Sequence, residues 1–151
     1  MPSTIARIIL ALCLCALVAP WSTGRAQNAA LGFVVIVNRS NAQTTLPRAE
    51  VSRMFLKQVQ RWGNGREVQP VDLAVSAAPR EAFSRHVHTR SATSVASFWR
   101  QQIFAGRGVP PPEQATDAEV VRYVAAHAGG IGYVGPGSNI STVSAVNVTG
   151  L

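Results

Sequence analysis

Cysteine is nearly missing from this sequence: of 151 residues only Cys13 and Cys15 carry thiols, and both fall in an N-terminal apolar stretch. The rest of the chain therefore has no disulfide and no soft metal ligand, which excludes a stapled small scaffold and a thiolate metal centre. Acidic side chains are scarce too, seven in all, with no pair at the spacing of a two-carboxylate acid–base site. Lysine occurs once, at Lys57, and no three basic residues are adjacent. That dispersal reads as a solvated arginine-biased surface and argues against a nucleic-acid footprint. No apolar run reaches the roughly 20 residues needed to span a bilayer. Gly and Pro number 12 and 9 while 47% of the chain is apolar, which excludes a disordered or collagen-like polypeptide.

The longest apolar run, Ile8 to Ala19, follows Arg7 and is closed by Pro20. A positive start, a short apolar middle and small residues at Gly24 and Ala26 make the three parts of a secretory signal peptide. Cleavage is expected between Ala26 and Gln27, leaving residues 27–151 as one periplasmic or secreted domain that does not span a membrane. The formal charge of +7 includes Arg7 and Arg25 of the leader. Twelve basic and seven acidic side chains remain after them.

Phe33 to Val37 is a β-branched run that reads as a buried strand, ended by Asn38-Arg39-Ser40-Asn41. Pro47 suits a first helical turn, and Val51, Met54 and Phe55 follow at helical spacing. Trp62-Gly63-Asn64-Gly65 is a turn, and Val68 to Leu73 predicts a second strand, near a sheet edge because of Pro70. A helix is expected from Pro79 with Ala82, Phe83 and Val87 on one face. Another follows from Ser91 with Val95, Phe98, Trp99 and Ile103. Three prolines at 110–112 require a loop. Thr116 and Glu119 form a capping box opening a helix that Gly129-Gly130 stops. Ile131 to Val134 is a short strand, and Thr142 to Val148 supplies a last one. This order predicts an α/β layer structure with one small mixed sheet flanked by helices.

Gly130-x-Gly132-x-x-Gly135 matches the dinucleotide fingerprint as a string, but the glycines follow a helix and no acid lies beyond them, so no cofactor is expected. His86 and His88 point in different directions on a helix, and no carboxylate supplements them, so no metal is expected either. Without a nucleophile elbow or paired carboxylates the chain is not read as an enzyme. The chemically suggestive spot is Ser76-Ala77-Ala78-Pro79-Arg80. There a serine hydroxyl and an arginine fork at a helix start suit a small oxyanion. The plain reading of the same residues is a loop cap and a surface charge.

The order of these segments resembles a known family. Val35 to Asn41, Leu46 to Leu56 and Arg61-Trp62 are similar to the phosphate-binding proteins of ABC importers. So are Arg80-Glu81-Ala82-Phe83, Ile103 to Gly108 and Gly130 to Val134. The resemblance covers about residues 33 to 138, nearest to short, single-lobe members of the type 2 periplasmic-binding-protein-like group. It implies one lobe of that fold, phosphate or another oxyanion as ligand, and an ABC transporter permease or envelope protein as partner. It places the family's Ser-Gly-Thr loop near Ser76, where Ala77 and Ala78 stand instead of hydroxyl-bearing residues. A lobe that keeps the fold and gives up the ligand, surviving as a protein-interaction module, is the alternative.

Overall fold

The computed structural model describes residues 28–151. The expected leader, with Cys13, Cys15 and the Ala26–Gln27 junction, lies outside the described residues.

Val34–Val37 forms β1 at the centre of a five-stranded mixed sheet. The run is apolar on both faces because successive residues Val35, Ile36 and Val37 are all fully buried; in the register Val35 stands between Tyr133 on one neighbour and Val146 on the other. Those neighbours, β6 (Gly130–Val134) and β7 (Ser144–Thr149), both run antiparallel to it. The outer strands are parallel to theirs, β2 (Thr45–Pro47) beside β7 and β3 (Gln69–Pro70) beside β6. The sheet order is thus β2-β7-β1-β6-β3.

The expected strand over residues 68–73 divides between two sheets. Gln69 and Val71 donate their amides to Gly129 and Ile131. The alternate amides of Asp72 and Ala74 turn the other way, to Pro112 and Gln114. The second half is therefore β4 (Asp72–Leu73), paired with β5 (Glu113–Gln114) as a separate ribbon. Pro70 falls on the outer edge, where a missing amide leaves no ladder bond unmade.

Helix α1 (Arg48–Phe55) buries Val51, Met54 and Phe55, the three residues whose spacing predicts it. Helix α2 begins at Ala78 and keeps α geometry only to Phe83; Ser84–His88 then widens into a π-turn. Ser84, Val87 and His88 are buried on the inner face of this turn, continuing the face that carries Arg80 and Phe83. Thr89 closes it in the left-handed region, at φ 57°. Helix α3 (Ala92–Phe104) is capped by Ser91, whose hydroxyl accepts the Ser94 amide. Helix α4 (Asp117–Ala126) carries the expected capping box, with Thr116 and Glu119 each accepting the other's amide hydrogen. It packs Val120 and Val124 onto β6, where a methyl group at Gly132 would meet Val120 Cγ1 at 2.7 Å. The fingerprint-like glycines thus serve close helix-on-sheet packing.

Candidate functional site

Ser76 lies on the turn between β4 and α2 and is exposed. Arg80, one helical turn on, points the other way. It keeps only 2% of its surface in water and is the largest fully buried side chain among the described residues. Of the two residues that the sequence groups as an anion contact, Ser76 is thus open to solvent and Arg80 is enclosed.

The Arg80 guanidinium is held from several directions. Its Nη1 pairs with Asp72 Oδ1 at 2.5 Å and donates to the Leu73 carbonyl at 3.2 Å and to Tyr133 Oη at 3.4 Å. Tyr133 in turn donates to Asp72 Oδ1 at 2.8 Å. Phe83 stacks flat on Tyr133, the ring centres 3.9 Å apart, and Phe55 closes against both. Nε of Arg80 is buried without a hydrogen-bond partner. Burial disfavours the Arg80 charge, but Asp72 and Tyr133 outweigh it and hold its pKa above the ordinary value. Burial likewise pushes the Asp72 carboxyl up, against the opposing pull of Arg80 and Tyr133. The Tyr133 hydroxyl is driven well up by burial and then by the Asp72 charge beside it. Chemically this is a closed ion pair within an aromatic shell.

A carboxylate lies near the start of α2. Gly135 packs close to Pro79 and to Asp117: a methyl group there would stand 3.3 Å from Pro79 Cγ and 3.1 Å from Asp117 Oδ2. Asp117 accepts the Gly135 amide at 2.9 Å and the Ser138 hydroxyl at 2.6 Å. A carboxylate thus flanks the start of α2. A cavity of about 350 Å³ lies elsewhere, along the outer edge of β3, with Met54, Glu67, Val68, Pro70, Pro112 and Tyr123 in its walls.

The π-turn also carries a partly buried contact to helix α1. His88 Nδ1 and Ser52 Oγ lie 2.8 Å apart, with the His88 ring edge-on to Phe83 and Phe55. Burial, then the charges of Arg80 and Arg90, lowers the His88 pKa to about 4. Its unfolded value is about 6.5, so between these limits the unfolded chain takes up a proton that the folded chain refuses. Stability is complete above pH 6.5 and falls as pH drops toward 4, by up to about 3 kcal/mol from this group. Urea melts from pH 7 to 4.5 are expected to show a shallower pH slope for His88→Asn than for the parent; equal slopes exclude the effect. His86 is exposed and faces the Phe33 ring at 6.2 Å, away from His88's partners.

Among the described residues no helix is long and apolar enough to cross a membrane. No family model matches the chain. No curated protein matches it either. Solved structures do. An ABC-type phosphate transport receptor from Vibrio cholerae superposes with a TM-score of 0.62 at 16% identity, over 80% of this chain and 47% of that one. A protein described as a phosphate ABC transporter substrate-binding protein, solved with bound phosphate from Clostridium perfringens, gives 0.60 at 17%, over 80% and 46%. PstS from Borrelia burgdorferi gives 0.55 at 12%, over 79% and 47%. The chain spans about half the length of each. It has the fold of one half of a phosphate receptor, a periplasmic-binding-protein-like mixed sheet flanked by helices.

Proposed function

We propose that this chain is an exported, single-lobe recognition module that acts by non-covalent contact, with a protein of an envelope or transporter complex as its partner. The observation that carries this reading is the state of Arg80. Its charge is matched by Asp72 inside the core, so it brings no free positive charge to the Ser76 turn. Capture of a small oxyanion requires several converging donors to replace its hydration. Ser76 supplies one hydroxyl, and the Asp117 carboxylate near Pro79 opposes an anion. The signal-like leader supports a periplasmic setting, in which an ABC transporter permease is the natural candidate partner.

The oxyanion reading keeps one specific support: Ser76, on the turn before α2, has an exposed hydroxyl, and Arg80, in the first turn of α2, has an Nε without a hydrogen-bond partner. In that reading phosphate is the ligand, and Ser76 and Arg80 are its contacts. Calorimetry with inorganic phosphate separates the two. No saturable heat at millimolar phosphate is expected, together with recovery of a specific partner by crosslinking in the native envelope. Saturable heat that disappears in Ser76→Ala would overturn the interaction reading in favour of the anion.

A further inference from the structure

The segment from Ala82 to Pro112 contains no acidic residue and carries Arg85, Arg90, Arg100 and Arg107. Helix α3 forms its centre and packs on the π-turn. The first eight residues of α3 include the buried Ala92, Val95 and Trp99. Its end behaves differently. From Ile103 to Val109 every residue is exposed, and the run includes Ile103 at 52%, Phe104 at 97% and Val109 at 63%. A phenylalanine that keeps nearly all of its surface in water stands clear of the molecule. Gly106 and Gly108, at φ 66° and 154°, turn the chain sharply behind it, and the prolines at 110–112 lead it back to β5.

We propose that this tip docks on an anionic lipid surface, with Phe104 and Ile103 entering the headgroup boundary and Arg100 and Arg107 meeting the lipid phosphates. Two observations carry the choice. The first is charge: with only arginines in the segment, and Arg85 already paired to Glu81, the free cations lie toward α3 and its tip. Such residues are drawn to a negative membrane surface. The second is shape. A stable protein–protein interface draws on about 20–30 residues a side with complementary packing. The tip offers seven residues on a convex projection. Interfacial insertion needs no complementary groove, only a few apolar side chains flanked by basic ones. This surface is separate from the Ser76 turn, so the proposal stands apart from the reading given for that turn.

The test is co-sedimentation of the exported protein, recovered from the periplasm of an expressing bacterium and confirmed by mass to lack residues 1–26. Its partners are vesicles of phosphatidylcholine alone or mixed with phosphatidylglycerol. Binding is expected with the mixed vesicles and not with the neutral ones. It should weaken about tenfold in Phe104→Ser, by a similar factor in the double variant Arg100→Gln, Arg107→Gln, and on raising salt to about 0.5 M. Melting temperatures should stay unchanged, because these side chains are exposed. Equal binding to both vesicle types, no binding to either, or binding unaffected by Phe104→Ser overturns the proposal. So does a tip-dependent protein partner found without vesicle binding. None of these outcomes bears on phosphate calorimetry, which reads Ser76.

Discussion

Replacing Arg80 with methionine is expected to destabilise the lobe by about 3–5 kcal/mol, a large part of the total stability of a domain this size. The methionine fills much of the same volume, so the loss comes from Asp72. Its carboxylate is left in the core with Tyr133 as its remaining neutral donor. Asp72→Asn should cost at least as much as Arg80→Met: the amide still accepts from Tyr133, but the buried Arg80 guanidinium cannot shed its proton, whereas the carboxyl left by Arg80→Met can take one up. The double variant Asp72→Leu, Arg80→Met should recover most of the loss, since replacing both members of a buried pair with apolar residues is often close to neutral. Urea unfolding of the three variants checks the series. A double variant as unstable as Arg80→Met alone would show that the cost lies in packing and not in charge. The same series bears on function: if Arg80 were held mainly for an anion, phosphate would raise the parent's midpoint and leave the double variant unmoved.

Gly129→Ala is expected to cost about as much, roughly 3–5 kcal/mol, through overpacking and lost backbone bonds. The added methyl group would stand 1.9 Å from the carbonyl oxygen of Glu67, and backbone cannot give way as a side-chain end can. The Gly129 carbonyl also accepts from the Gln69 amide at 2.9 Å and from Trp62 Nε1 at 3.0 Å. Pushing the two segments apart strains both bonds and the β3–β6 pairing. Gly132→Ala makes the control. Its methyl group meets Val120, Val71 and Val124 side chains, which can shift, so about 1–3 kcal/mol is expected. Thermal melts giving Gly132→Ala the larger effect would contradict this ranking.

These two sites mark where the sequence is and is not informative. The capping box at Thr116, the Val51–Met54–Phe55 stripe and the all-apolar β1 are legible because their cause is local: each pattern lies within one turn or one strand. The single-lobe fold is legible as well, from the order of segments, and the solved receptors match it over about 80% of the chain. The Arg80 network is not. Its three members come from β4, α2 and β6, and Tyr133 lies 53 positions beyond Arg80, so only the tertiary structure brings them together. An arginine one turn into an amphipathic helix looks solvent-facing; what turns it inward is an acid in the preceding strand. The π-turn hides for a related reason. Ser84 to His88 contains nothing that breaks an α-helix, so no local signal announces the wider turn. Asp72 is the available signal: an acid set between Val71 and Leu73 in a strand predicts a buried partner of opposite sign.

The position of β7 has a consequence for how the molecule comes into being. Residues 144–149 do not add to an edge; they slot between β1 and β2, and β2 has no other strand beside it. Even the Asn28 side chain is bonded across 118 positions, to the Val146 carbonyl. A chain emerging from the ribosome or a secretion channel therefore holds an open gap in its sheet until residue 149 is free, with β1 lacking one neighbour. Closure of such distant contacts is slow, because long loops must be ordered before any pairing repays them. The sheet is built to stay open until β7 has been made, and to close only when that strand enters between β1 and β2.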